Sequence, residues 1–120
     1  MKIFRNDNAI YMRDGESCGI FRVFPGRKGE AEVEIAVYRF GHLQPASAAI
    51  VSGGRLPLEC RAPNTGLFKR LLLEGLAAFN GRYRLWCDPS DARRAACYRH
   101  MLDKAGIPYR VFAGEAIEIL

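Results

Sequence analysis

The spacing of apolar residues changes halfway along this chain, and that change limits its possible folds more than any other sequence feature. In residues 31–40, Val33, Ile35 and Val37 alternate with polar or small residues, a period of two that is typical of a half-buried β-strand. In residues 66–79 the apolar residues recur every three or four positions, as on one side of an α-helix: Leu67, Phe68, Leu71, Leu72, Leu76 and Phe79. One domain that mixes strands and helices is therefore predicted.

The first half of the chain is predicted to form strands separated by glycine-containing turns. Asp14-Gly15-Glu16 is typical of a hairpin turn, residues 25–29 of a longer reversal, and Gly53-Gly54 of a second hairpin. The predicted strands are residues 9–13, 17–24, 31–40, 46–52 and 55–61. Pro57 indicates that the last of these is irregular or lies beside an unpaired edge.

The second half is predicted to alternate strands with helices. Asn80-Gly81 is expected to end the first helix in a left-handed conformation. Residues 88–91 have the proline and acidic residues typical of a helix start, and Gly106 and Pro108 are expected to stop that helix after about Lys104. The predicted elements are a helix over 66–79, a strand over 82–87, a second helix, and strands over 109–112 and 116–119. The fold class is α+β: N-terminal β-hairpins followed by β-α-β-α-β-β around a largely antiparallel sheet.

Size and composition indicate an ordinary globular chain. Its 120 residues, 49% hydrophobic and 26% charged, suffice for a single domain, residues 1–120, and are too few for two. No stretch approaches the roughly 20 apolar residues of a membrane helix, and the polar first seven residues do not resemble a secretory signal, so a cytoplasmic location is expected. The net charge of +5 favours partners that carry phosphate, although the basic residues are scattered. A nucleotide-like cofactor, a nucleic acid and an acidic protein all remain open.

The four cysteines do not predict a metal site or a disulfide framework. Cys18, Cys60, Cys87 and Cys97 include no Cys-x-x-Cys pair. Cys97 and His100 can share a helical face, but a structural zinc ion requires two more ligands. We therefore expect no bound metal and small, buried, reduced thiols.

The junction over residues 58–67 is the part of the sequence that indicates chemistry. A predicted strand ends there, a turn follows, and an amphipathic helix begins. The first N–H groups of a helix have no acceptor within it and lie at the positive end of its dipole, so a pyrophosphate can bind to them. Arg61, Lys69 and Arg70 add positive charge nearby. The alternative is an ordinary connection in which Asn64 or Thr65 caps the helix.

At this junction the sequence resembles the GNAT family of N-acetyltransferases. Residues 61–66, Arg-Ala-Pro-Asn-Thr-Gly, are similar to the family's acetyl-CoA loop, Gln/Arg-x-x-Gly-x-Gly/Ala, with Asn64 at the first glycine. The Leu-rich helix that follows, and then a strand and a helix containing Tyr98, are similar to the family's order of elements. The resemblance covers about residues 55–120 and leaves residues 1–54 as a β-hairpin part.

The resemblance implies that the chain binds acetyl-CoA and leaves open whether it transfers the acetyl group to an amine. The cofactor-binding residues that it implies are Arg61, Asn64, Thr65, Gly66, Leu67 and Lys69, four of which would offer backbone N–H groups to the pyrophosphate. Tyr98 would protonate the departing thiolate. Apart from the resemblance, Glu59 lies two residues before Arg61 on the same predicted strand, and if its side chain faces the acceptor it can draw a proton from the amine through water. The rival function is a non-catalytic module, on a degenerate fold of this type, that binds protein or nucleic acid. A homodimer through an exposed strand edge is plausible, and no membrane association is expected.

Each candidate residue also has a purely structural interpretation. Tyr98 lies at helical spacing with other apolar residues, which is equally typical of a core tyrosine: Ala95, Met101, Leu102 and Ala105. Glu59 can be a solvated strand glutamate, and the same question applies to Glu32 and Glu34.

Aromatic and basic residues are interleaved in two segments, which is a pattern found in binding sites for single-stranded nucleic acid. The residues concerned are Arg82, Tyr83, Arg84, Trp86, Tyr109 and Arg110. The alternation within residues 82–86 instead predicts an ordinary amphipathic strand, with both arginines and Trp86 on one face and Tyr83 and Leu85 on the other.

Overall fold

A computed structural model describes residues 1–39, 65–88, 92–112 and 116–120 of the chain. The described part is an α+β structure with a seven-stranded, mostly antiparallel sheet and two helices. The strands are β1 (Lys2–Asn6), β2 (Ala9–Asp14), β3 (Ser17–Pro25), β4 (Glu30–Arg39), β5 (Arg84–Cys87), β6 (Tyr109–Val111) and β7 (Ile117–Ile119), and the helices are α1 (Thr65–Phe79) and α2 (Ala92–Ala105). The predicted fold class and order of elements are confirmed for these residues. The predicted hairpin over residues 46–61 and the helix start at residues 89–91 lie outside them.

The strands follow the order β1-β2-β3-β4-β5-β7-β6 across the sheet. Antiparallel pairing joins β1 to β2, β2 to β3, β5 to β7 and β6 to β7, whereas β4 and β5 are parallel. A parallel pair cannot be closed by a tight turn, and α1 lies in the connection that leads from β4 to β5.

Residues with positive φ occupy two of the predicted turns. Gly15 (φ 61°) lies in the two-residue loop between β2 and β3, where Asp14 is paired with Ser17. Lys28 (φ 59°) and Gly29 (φ 74°) reverse the chain between β3 and β4, and the N–H of Gly26 donates to the carbonyl of Glu30 at 2.8 Å. Both turns are confirmed.

The two helices end differently. After α2, Gly106 has a φ of 69°, and the N–H groups of Gly106 and Ile107 donate to the carbonyls of Asp103 and Leu102, which is a Schellman motif. Ala105, the last helical residue, is exposed rather than part of the buried face.

The prediction of a left-handed stop at the end of α1 is wrong. Neither Asn80 nor Gly81 has a positive φ. Instead, the N–H of Asn80 donates to Leu76, and those of Arg82 and Tyr83 both donate to the carbonyl of Phe79. Successive turns therefore supply donors to the carbonyls of Leu76 and Phe79 without a left-handed residue.

The chain forms two compact units, Met1–Val23 with Glu34–Gly75 and Phe24–Val33 with Leu76–Leu120. In the first, the pairing of Ile10 with Phe21 and of Met12 with Gly19 puts these four residues on one face of β2 and β3. Helix α1 packs on that face, with Leu71 against Gly19 and Gly75 against the ring of Phe21. In the second, the buried residues of the strands share one face: Ala31, Val33, Leu85, Cys87, Ile117 and Ile119.

Strand β1 is the element that the sequence does not predict. All five of its residues are exposed, so no alternation of buried and exposed positions reveals it. It pairs with β2 from Lys2 opposite Arg13 to Asn6 opposite Ala9. The Arg5 guanidinium lies 3.7 Å from a carboxylate oxygen of Glu74 on α1.

No described helix has both the length and the apolar composition required to span a bilayer.

Candidate functional site

The residues implied for acyl-CoA binding lie, along the sequence, on either side of the start of α1. Glu59, Arg61 and Asn64 lie outside the described residues, and of Thr65 the backbone is described, as the first residue of the helix. Gly66 and Lys69 are exposed, whereas Leu67 is buried. The predicted helix is confirmed, and the role of each of these residues stays a prediction.

The first turn of α1 contains no acidic residue. Lys69 and Arg70 are exposed on the following turn, and Arg70 donates to Glu74 at 3.1 Å, one turn further along. A helix start with positive charge nearby and no carboxylate in its first turn attracts an anion electrostatically. Leu67 is in the core of the first unit, so it anchors this end of the helix.

Tyr98 is on the buried face of α2. Its side chain is 4% exposed, and Ala95, Met101 and Leu102 are buried with it, as the helical spacing predicts. Its hydroxyl can serve as an acid in a reaction or as a hydrogen-bonding group of the core, and its role as general acid stays a prediction.

The strands of the second unit have a polar outer face, opposite the buried one. Leu85 and Cys87 are buried, whereas Arg84 is exposed and Trp86 is half-buried, so the alternation predicted for this segment is confirmed within β5. Pairing places Trp86 beside Glu32 of β4 and Glu118 of β7, and Glu118 beside Arg110 of β6. The outer face therefore carries a row of charged side chains with Trp86 within it.

This face contains an open cavity of about 470 Å³, here called the outer-face groove. Residues from four strands and the β6–β7 connection line it: Glu30, Arg84, Trp86, Arg110, Phe112, Ala116 and Glu118. Phe112, just after β6, is 46% exposed. Aromatic rings and exposed polar groups thus border the same concave surface.

The charged residues of the outer-face groove form two ion pairs. The Arg84 guanidinium donates to a carboxylate oxygen of Glu30. One nitrogen of Arg110 lies 3.2 Å and 3.1 Å from the two oxygens of Glu118, and the Arg110 guanidinium is stacked 5.1 Å from the centre of the Phe112 ring. Two positive and two negative charges therefore compensate one another within the groove.

Glu32 lies beside the groove, with Trp86 as its partner across β4 and β5. Burial, and then the negative charge of Asp88, raise the pKa of its carboxyl group. Glu32 is thus a better proton acceptor than an ordinary surface glutamate. Among the described residues, no three His, Cys, Asp or Glu side chains are placed to hold a metal ion.

The structure separates the predicted set of aromatic and basic residues. Tyr109 pairs with Ile119 on the opposite face from Arg110, and its hydroxyl donates to Asp103 at 2.8 Å, a hydrogen bond that raises the pKa of the tyrosine. Arg82 precedes β5 and is stacked on the rings of Phe79 and Tyr83. Of that set, only Arg84, Trp86 and Arg110 line the groove.

Phe112, Glu30 and Glu118 are groove residues that the sequence reasoning missed. Residues 110 and 112 are two positions apart, and so are residues 116 and 118. In an extended strand such residues have their side chains on the same face, and this spacing was the signal in the sequence. This spacing does not reveal which strands are neighbours in the sheet.

Comparison of the chain with protein-family models, curated proteins and solved structures finds no match.

Proposed function

We propose that this chain binds acyl-CoA in the manner of the GNAT acetyltransferases and transfers the acetyl group of acetyl-CoA to an amine. The observation that carries the proposal is the start of α1 at Thr65, directly behind the Arg61–Asn64 segment that resembles the family's cofactor loop. An acid-free first turn, an exposed Gly66 and an exposed Lys69 suit an approaching pyrophosphate.

In the proposed reaction, the neutral amine attacks the thioester carbonyl of acetyl-CoA. A carbon–nitrogen bond forms and the carbon–sulfur bond breaks, so the electron pair leaves with the sulfur. Glu59 accepts the proton that the amine loses, and Tyr98 protonates the departing thiolate. Strand N–H groups polarise the carbonyl oxygen, on which negative charge develops in the transition state.

Coenzyme A is expected to raise the melting temperature of the protein, because a ligand that binds only the folded state stabilises it by mass action. At a concentration of 100 times its Kd, the gain is about 3 kcal/mol, or several degrees. Lys69→Ala should reduce the shift, whereas Lys104→Ala, at an exposed lysine on the other helix, should leave it unchanged. No shift with millimolar CoA or acetyl-CoA contradicts the proposal.

Tyr98→Phe tests the transfer step separately from binding. Removal of one hydroxyl should lower the rate of CoA release about 100-fold with a panel of primary amines, while the thermal shift with CoA persists. Tyr109→Phe, which removes a hydroxyl from the surface of β6, is the matched control. If Tyr98→Phe and Tyr109→Phe release CoA at the same rate, Tyr98 is not the general acid and its role is structural.

A second candidate function, non-catalytic binding, is favoured by one specific observation. The outer-face groove combines Trp86 and Phe112 with compensated charges, and no step of the transfer reaction uses it.

A further inference from the structure

The outer-face groove exposes more aromatic surface than the outer side of a strand normally does. Outward positions of a half-buried sheet are ordinarily polar. Here the Phe112 side chain is 46% exposed, and half-buried Trp86 lines the same cavity. Its volume of about 470 Å³ is within the range of small-molecule sites, roughly 300–1,000 Å³. The groove therefore offers a ligand hydrophobic contact on an otherwise charged face.

The ion pairs determine what charge such a ligand can carry. Each arginine of the groove has a carboxylate partner, Arg84 with Glu30 and Arg110 with Glu118. An anion would have to compete with these carboxylates for the guanidinium groups, and a cation would have to compete with the arginines. A neutral ligand meets neither competition, so the groove favours an uncharged molecule.

Side chains with planar groups line the groove. The indole of Trp86 and the ring of Phe112 are planar, and the Arg110 guanidinium is itself planar and stacked beside Phe112. A planar ring system can stack on these surfaces. The exposed guanidinium N–H groups of Arg84 and the carboxylate oxygens of Glu30 provide donors and acceptors for the edge of such a ring.

We propose that the outer-face groove binds the base of a neutral nucleoside or a similar uncharged heteroaromatic compound. The base stacks on Trp86 and Phe112, and its edge is hydrogen-bonded by the Arg84–Glu30 pair. This site shares no residue with the set implied for acyl-CoA binding, so the proposal does not depend on the proposed function. Single-stranded nucleic acid is disfavoured because the paired arginines leave no excess positive charge for a phosphate backbone.

Trp86 is the only tryptophan of the chain, so its fluorescence reports on the groove directly. Titration with adenosine, guanosine, cytidine and uridine should give a saturable change in Trp86 emission with at least one of them. Ribose, which cannot stack, should give none. N-acetyltryptophanamide, titrated with the same nucleosides, gives the collisional quenching of a free indole, and this quenching is subtracted from the change in Trp86 emission.

Phe112→Ala is expected to weaken nucleoside binding at least tenfold, since loss of one stacking side chain commonly has that effect. Phe4→Ala removes another exposed phenylalanine, 64% exposed on β1, and should leave the affinity unchanged. The affinity should also change little between 50 and 500 mM salt, because the ligand is neutral.

Three outcomes would overturn the proposal. The first is the absence of a saturable signal with every nucleoside at 10 mM, and the second is an equal signal in Phe112→Ala and Phe4→Ala. The third is a short single-stranded RNA that binds far more tightly than any nucleoside and weakens steeply with salt, which would make the groove a nucleic-acid site. If CoA gives no thermal shift but a nucleoside still changes the Trp86 emission, only the proposed binding of acyl-CoA is rejected, and the nucleoside site stands.

Discussion

Gly75→Ala is expected to destabilise this protein by about 3 kcal/mol, although alanine is normally the better helix former by about 1 kcal/mol. Gly75 is inside α1, and a Cβ atom added there would overlap three atoms of the Phe21 ring. Phe21 is fully buried, so its ring has no open space into which it can move. Overpacking therefore outweighs the gain in helix propensity. Urea unfolding should show the loss, together with a decrease in melting temperature of about 10 °C.

Two controls isolate the Phe21 contact. Gly19→Ala places its Cβ against a terminal methyl group of Leu71, which is the flexible end of a side chain, so this substitution should cost less. Phe21→Leu makes room beside position 75, and in that background Gly75→Ala should lose most of its effect. A neutral or stabilising Gly75→Ala would show that α1 does not lie against Phe21.

The second large effect is a loss of stability at alkaline pH that depends on Cys87. Burial, and then the charge of Glu32, raise the pKa of its thiol from 9.0 to about 12. The unfolded chain then releases this proton at a lower pH than the folded chain does. The contribution of Cys87 is therefore fully present below pH 9 and is lost as the pH rises towards 12, by about 1 kcal/mol per pH unit.

Cys87→Ala is the comparison that isolates this group. Alanine leaves a small cavity, so the variant should be less stable than the parent at pH 8, and the two should converge towards pH 11. Cys18, whose pKa is also raised by burial, is present in both proteins and cancels in the difference. Urea unfolding under reducing conditions measures both curves. A gap that stays constant from pH 8 to pH 11 would contradict the pKa of Cys87.

Local signals in the sequence predicted most of the described elements. The alternation of Val33, Ile35 and Val37 and the spacing of the leucines of α1 are each contained within one segment, so no knowledge of the fold was necessary. Gly15 and Gly106 were equally informative, because a positive φ at a turn or a helix end favours glycine. Strand β1 escaped prediction because its residues are exposed on every side, and its position depends on pairing with β2.

The two candidate sites also differ in whether their residues lie in one segment or are brought together by strand pairing. The segment from Arg61 to Lys69 is contiguous, so its resemblance to a cofactor loop was readable from the sequence. The outer-face groove was not, since Glu30, Trp86 and Phe112 are far apart along the chain and meet only through the order β4-β5-β7-β6.

Local patterns in the sequence were enough to place both helices and every described strand except β1, because these elements depend on neighbouring residues. They did not predict how α1 ends. The pairing of Arg84 with Glu30, and of Arg110 with Glu118 beside an exposed phenylalanine, depends on which strands are neighbours in the sheet. Segments that are distant along the chain compete for the same hydrogen bonds and buried area when strands pair. A local sequence pattern therefore does not reveal which strands become neighbours.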